Sequence, residues 1–481
     1  MVDDIVDVLE GLRDQPVWRP VPDEARERLR QPLPTEAIGP AAAYDEYRRY
    51  VQPYARGNNH PRFWGWVNGS ALPLGILADL LASSMNPSVA AFENAASLVE
   101  EQVLGWLKEM LGFPTNVGAL LTSGCSMSTI IGLAVARNVH AGADIRRLGV
   151  AGIPRRLALY ASTEAHASVE KAVELLGIGR ESLRRIPVDT DYRIDLGELE
   201  RHIVADRRAG LRPIAVVANA GTVNTGAIDD LDGIATMCSE HGLWMHVDGA
   251  FGALAWLVAG MRPSLAGLQR ADSLAFDLHK WLYLPYDVGC VFVADQASQR
   301  ATFAKSSDYL NLMERSGRPA TNFGDLGIEL SRRFRALKVW LCLKEHGVDG
   351  FARQIAQNIA QARRLGERID EAEHLRLMAP VGLNVVCFRF EVEGLDEEKL
   401  EGLNEQILSE IWSSGLAGLS DTRLRGRFVL RVANTNHRTR GEDFELLVEA
   451  VERIGTDLVR GGAGGATRIP PPGQEGARRS S

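Results

Sequence analysis

The sequence lacks the features that mark several common protein classes. It has no run of 18 apolar residues free of charge, so no membrane span is expected. Its first residues, MVDDIVDVLEGLR, are acidic at the start and show no basic region followed by a cleavage site, so no signal peptide is read there. Only five cysteines occur in 481 residues (Cys125, Cys238, Cys290, Cys342 and Cys387), and no two form a CxxC pair. An odd, scattered set of this kind predicts buried thiols in a reducing cytoplasm. A net charge of −8, from 54 basic and 62 acidic residues with no basic stripe, argues against nucleic-acid partners. The GxGxxG dinucleotide fingerprint is missing, and neither an internal repeat nor a metal site is expected.

What is present is an ordinary globular composition, 45% apolar and 24% charged, in a chain long enough for a large catalytic domain plus a smaller one. Val2, Ile5, Val6, Leu9 and Leu12 fall near one helical face, and a stretch rich in Pro and Arg follows. Helical patterns cover Leu72–Ser84 and Phe92–Leu111, the second closed by Gly112 and Pro114. Between about 115 and 300, short apolar runs alternate with helical ones: Leu157–Ser162, Ile214–Asn219, Leu243–Asp248, Ser273–Asp277 and Cys290–Ala294. These predict strands of a buried, mostly parallel sheet. Several runs end in a polar or glycine cluster (STEAH, NAGT, DGA, DLHK), and ligands of open α/β sheets sit beyond the carboxyl ends of the strands. A polar loop spans 303–330 and a long helix is expected from near Ser331. Strands at Asn384–Glu391 and Arg427–Ala433, between helices, predict a small α/β domain. The expected organisation is an N-terminal arm and helical segment (1–85), a large cofactor-binding domain (86–345), a small C-terminal domain (346–460) and a disordered tail (461–481).

Two clusters suit one cofactor. HVDGA places Asp248 at a strand end, and DLHKW places Lys280 just after another. Pyridoxal 5'-phosphate needs a lysine amine to bond its aldehyde and a carboxylate to keep its pyridine nitrogen protonated. An acid and a lysine at strand ends are by themselves more often just solvated. The TSGCSMS segment leads a small-residue turn into a helix, whose first N–H groups can hold a phosphate. There Gly124 permits close approach and Ser126 offers a hydroxyl; a plain N-cap by Ser123 or Ser126 is the simpler alternative. His166, in STEAHASVEKA, follows a strand and opens a helix, where a lone histidine is ordinarily a cap or a packed residue.

Taken together, HPRFWGW, TSGCSMS, STEAHASVEKA, NAGTVNTGAID, HVDGAFG, DLHKW and RRFRALKVW resemble the group II pyridoxal-phosphate-dependent amino-acid decarboxylases, with aromatic-L-amino-acid decarboxylase among them. The resemblance covers roughly residues 1–458. It implies fold type I of the PLP-dependent transferases: α/β, a large domain with a mostly parallel seven-stranded sheet, and a small C-terminal α/β domain. It also implies a homodimer with shared active sites, acting on a small amino-acid substrate. By position, Lys280 would form the Schiff base, Asp248 would pair with the pyridine nitrogen, and His166 would stack on the ring. Gly124, Cys125 and Ser126 would receive the phosphate, Asp277 and His279 would flank the cofactor, Ala250 would lie against the ring and Thr222 would line the pocket. Trp66, Phe323 and Arg431 would face the substrate.

The chain departs from the family at one place. Members carry a proton-donating tyrosine nine positions before the first arginine of RRFR, and here that position, nine before Arg332, is Phe323. The same replacement in the family is associated with aldehyde synthases, which pass the carbanionic intermediate to oxygen. Decarboxylation to an amine therefore needs another donor, such as His166, Tyr309 or Tyr283, and oxidative decarboxylation–deamination to an aldehyde is the alternative. An aminotransferase and a non-catalytic relative are the remaining alternatives. Aromatics at Phe63, Trp64 and Trp66 suit an aromatic substrate or a packed core, while Arg62 and Asn68 suit a polar or acidic one.

Overall fold

A computed structural model describes residues 1–90, 94–305 and 321–461. The chain forms two compact units. One comprises Met1–Asn68, Arg363–Met378 and the chain from Val386 onward; the other comprises Gly69–Ala362 and Ala379–Val385.

The Gly69–Ala362 unit is built on seven strands: β1 (Gly118–Thr122), β2 (Leu157–Ser162), β3 (Leu183–Ile186), β4 (Arg212–Asn219), β5 (Trp244–Asp248), β6 (Ser273–Asp277) and β7 (Gly289–Val293). Their order is β1-β7-β6-β5-β4-β2-β3. Strands β3, β2, β4, β5 and β6 run parallel, while β7 is antiparallel to both its neighbours. The sheet is therefore mostly parallel, as expected for fold type I. Its central strands are short and buried throughout, which is why their sequences read as unbroken apolar runs rather than alternating ones. Helix Leu196–Arg208 leads from β3 to β4 and helix Leu231–His241 from β4 to its parallel neighbour β5, each started by an aspartate (Asp195, Asp230) that accepts a backbone N–H of the first turn. The Cys125–His140 helix lies across β5, β6 and β7. Gly132 allows that approach, since a Cβ there would stand 2.8 Å from His246 Nδ1 and 2.9 Å from Ser273 Oγ.

The other unit carries a four-stranded sheet in the order β10-β11-β9-β8, from β8 (Leu375–Leu377), β9 (Val385–Phe390, within this unit from Val386), β10 (Ser420–Leu424) and β11 (Arg427–Ala433). Helices Glu397–Ser413 and Gly441–Gly461 accompany it. Phe63 and Trp64 belong to its core. Trp64 stacks on Phe444 at 4.7 Å and donates Nε1–H to Thr439 Oγ1 at 3.0 Å, and Phe63 meets Trp412 edge-on.

Some elements differ from expectation. Strand β3 (LRRI) escapes a sequence reading because two arginines occupy its middle, and β1 because Gly118 opens it and a turn follows at once. The long helix begins at Ala336 rather than near Ser331, since the preceding backbone is held elsewhere: the carbonyl of Arg332 accepts the N–H of Val89. That helix is interrupted at Gly347, which adopts φ +65°. Residues 462–481 of the expected tail, Phe92 and Tyr309 lie outside the described residues.

Candidate active site

Parallel pairing puts the carboxyl ends of β4, β5 and β6 side by side, with Asn219 opposite Asp248 in the register. The antiparallel strand β7 begins at this same edge, where Gly289 pairs with both Asp277 and Thr122. The polar clusters that follow these strands are thereby gathered in one place. Gly289 has to be small: a Cβ there would lie 2.6 Å from the Cα of Gly124 and 2.8 Å from Asp277 Oδ1.

Asp277 is the hub of the cluster. Its Oδ1 accepts the backbone N–H of Cys125 at 2.6 Å, and its Oδ2 lies 3.1 Å from Lys280 Nζ and 3.6 Å from His279 Nε2. The carboxylate itself is sealed, while the lysine side chain is 20% exposed. Burial would lower the Lys280 pKa, but the charges of Asp277 and Asp248 outweigh it and hold the amine above its ordinary value. His279 is buried and its Nδ1 lies 2.9 Å from the carbonyl of Val288; burial lowers its pKa against the opposing pull of Asp277.

Asp248 is buried at the next strand end. Its Oδ1 accepts the N–H of Ala250 at 3.1 Å and the thiol of Cys125 at 3.5 Å, leaving Oδ2 without a hydrogen bond among the described residues. Ala250 also ties the two strands together, because its carbonyl accepts the N–H of Asp277 at 2.9 Å. His166 caps the Ala167–Leu175 helix through Nδ1, which accepts the N–H of Ser168 at 3.1 Å, and its side chain stays open to solvent. Burial by the surrounding protein lowers its pKa, with Asp248 opposing, so the ring is neutral near pH 7. The Cys125–His140 helix starts with no side-chain cap, and Ser126 is exposed in its first turn. Thr222 is buried in the loop after β4, its hydroxyl 3.0 Å from that of Thr225.

The structure thus brings Gly124, Cys125, Ala250, Asp248, Asp277, His279 and Lys280 into one hydrogen-bonded or contacting cluster, with Ser126 next along the helix. Trp66 and Arg431 lie in the other unit and contact each other: Arg431 donates to the carbonyl of Trp66 and to Ser420 Oγ, both at 3.0 Å. Trp66 has φ +54° and carries the guanidinium of Arg56 3.7 Å from its ring centre. Arg62 is turned into its own unit, donating to the carbonyl of Leu416 at 2.7 Å. Phe323 opens a one-turn helix capped by Asn322 and is sealed from solvent, with the Arg332 guanidinium 5.0 Å from its ring centre. Tyr283 is equally sealed and donates its hydroxyl to Asn358 at 2.7 Å.

Two supporting groups escape a reading of the sequence. Asp229 accepts the N–H groups of Asn219 and Ile194 and so fixes the loop between β4 and the next helix; burial pushes its pKa up to about 6. Arg332 binds Glu100 and the carbonyl of Leu121 in β1, both buried. Both stand in motifs quoted for the resemblance (NAGTVNTGAID and RRFRALKVW), but neither motif says what these side chains bind.

Pyridoxal phosphate asks for an amine, a buried carboxylate with a free oxygen and an anion cradle. Lys280, the Oδ2 of Asp248 and the uncapped helix start at Ser126 form such a set, so the residues fit the group. Comparison with known proteins gives the same answer. The profile described as "Pyridoxal-dependent decarboxylase conserved domain" matches residues 22–391. An aromatic-L-amino-acid decarboxylase of Bacillus atrophaeus is 34% identical over 461 residues, 95% of this chain and 94% of its own. A phenylacetaldehyde synthase of Petunia hybrida is 29% identical over 90% of this chain and 88% of its own. The crystal structure of Oryza sativa TDC with PLP and tryptamine superposes with a TM-score of 0.89 at 28% identity, covering 95% of this chain and 96% of that one. The chain belongs to the pyridoxal-dependent decarboxylase family of PLP enzymes.

Proposed function

We propose that the protein removes the carboxylate of an L-amino acid, with Lys280 as the covalent anchor of pyridoxal phosphate and an amine as product. One observation carries the assignment of roles: Lys280 Nζ lies 3.1 Å from Asp277 while Asp248, at the adjacent strand end, keeps one oxygen unbonded among the described residues. When bound, the cofactor supplies an aldehyde for the lysine and a protonated ring that takes up the electron pair left at the α-carbon. The chain's part is to place and charge groups around it. Asp248 would hold the ring proton through Oδ2, His166 would cover the ring face with a neutral imidazole, and Ser126 with the helix start would receive the phosphate. Ala250 would lie against the ring and Thr222 would line the pocket.

The α-carbon must then receive a proton, and Phe323 has none to give. Lys280 itself is the group best suited, because once free of the cofactor it is held as an ammonium by Asp277. An aromatic substrate is supported by the names of the relatives and by Trp66, which is not fully buried whereas Phe63 and Trp64 are. Arg431 would act by holding the backbone of Trp66. A second reading, aldehyde formation with release of peroxide and ammonia, is favoured by Phe323 and by the likeness to the Petunia enzyme.

We further propose a homodimer in a reducing cytoplasm. Leu80, Leu81 and Met85, exposed on the Pro73–Met85 helix, support a partner surface. All five cysteines are free and buried, and no described helix is long and apolar enough to cross a membrane. The test of function is to assay amine, aldehyde and peroxide together after incubating the cofactor-loaded protein with each common L-amino acid. Amine without peroxide supports the first reading, aldehyde with matching peroxide supports the second, and neither from any amino acid refutes both.

A further inference from the structure

Cys125 touches both carboxylates of the cluster, and it does so with two different groups. Its backbone N–H goes to Asp277 Oδ1 at 2.6 Å and its thiol to Asp248 Oδ1 at 3.5 Å, within the longer reach of sulfur. The thiol is almost wholly buried, 7% exposed, as is Asp248 at 6%. Both side-chain bonds to Asp248, from Ala250 and from Cys125, fall on the same oxygen. This arrangement leaves the other oxygen, Oδ2, without a hydrogen bond among the described residues. Consistent with a donor that never ionises, burial, with Asp248 and Asp277 beside it, pushes the Cys125 thiol well above its ordinary range.

We propose that Cys125 is a positioning residue for Asp248: its S–H fixes which carboxylate oxygen faces the pyridine nitrogen and so keeps that oxygen aligned with the ring proton. The inference rests on reading Asp248 as the partner of that nitrogen. Removing the thiol would leave Asp248 with one restraint fewer and free to turn away from the ring nitrogen. The ring would then hold its proton less firmly, and the cofactor would leave faster, by about tenfold if the misplaced contact has the worth of a weak charge-assisted bond.

The test has one arm without cofactor and one with it. In the apo full-length protein, the infrared difference between wild type and Cys125→Ala isolates the S–H stretch of this thiol. The account expects that band at the lowered frequency of a thiol bonded to a carboxylate, moving upward when Asp248→Asn replaces the anion by an amide. A band indifferent to Asp248→Asn overturns the bond. In the loaded protein, the ¹⁵N resonance of ring-labelled cofactor and its release rate are followed. Cys125→Ala is expected to shift the resonance toward that of an unprotonated ring and to speed release, and Cys125→Ser, which keeps a donor, to restore both. If Asp248→Asn moves the resonance but Cys125→Ala changes neither quantity, the positioning role is wrong and the reading of Asp248 stands. If Asp248→Asn leaves the resonance in place, that reading falls and the inference with it.

Discussion

Among the ion pairs described in the seven-stranded unit, two with buried carboxylates look alike on paper and differ in what surrounds them. Asp277 and Lys280 form one, at the carboxyl edge of the sheet, with the lysine 20% exposed. Glu100 and Arg332 form the other, at 0% and 1% exposure. The open pair has every oxygen engaged by groups that also belong to the site: the N–H of Cys125, His279 and the lysine. The sealed pair leaves Glu100 Oε2 and Arg332 Nε without a hydrogen-bond partner among the described residues, and burial pushes the Glu100 pKa up even against Arg332. A sealed ion pair recovers little net free energy over an apolar pair, yet losing one partner strands the other charge. The open pair is thus suited to exchange protons and partners. The sealed pair is suited to hold, linking the Ala95–Leu111 helix to Leu121 in β1 and to the Phe323 turn.

The comparison breaks if the two pairs respond alike to mutation. Lys280→Ala should lower decarboxylation by about a thousandfold or more and cost less stability than loss of the sealed pair, since Asp277 keeps the N–H of Cys125. Borohydride should then no longer fix the cofactor to protein, and an adduct that persists by mass spectrometry would contradict the anchor assignment. Glu100→Gln should do the reverse, costing about 3–5 kcal/mol in urea unfolding because Arg332 is left buried with its charge unmatched, with turnover per folded molecule kept.

A third sealed group sharpens the contrast through pH. His246 lies inside the sheet, 2.7 Å from Ser273 Oγ, and burial lowers its pKa to about 4. Its folded value is below the ordinary one near 6.5, so its contribution is fully present above that pH and is lost as pH falls toward 4. Stability should drop over that window by an amount on the order of 3 kcal/mol, and His246→Gln should flatten the slope in acid-titrated unfolding. The smallest effect is expected at the edge of the sealed region. Phe323→Tyr puts a hydroxyl into a closed site under Arg332, and should raise the ratio of amine to any aldehyde formed, read by product analysis, with little change in total CO2.

Much of this was legible in advance, for physical reasons that differ by region. Strands β2, β6 and (to within two residues) β4 can be read from sequence because a sheet covered on both faces demands uninterrupted apolar runs. Strands β1, β3, β8 and β10 cannot, being short or partly polar. The cluster at the sheet edge was visible as polar residues following apolar runs. What sequence could not supply is the direction of each bond, since nothing in TSGCSMS says that the first helical N–H is given to Asp277 or that the thiol faces Asp248. HPRFWGW shows the same limit: three aromatics at close spacing separate into two core residues and one partly exposed ring only through tertiary packing.

The central claim is that Lys280 supports loss of the α-carboxylate. Release of labelled CO2 from carboxyl-labelled aromatic L-amino acids, measured side by side for wild type and Lys280→Ala, tests it most directly. The account predicts rapid release by the wild type and almost none by the variant. Equal release by both, or none from any L-amino acid by the loaded wild type, would contradict it.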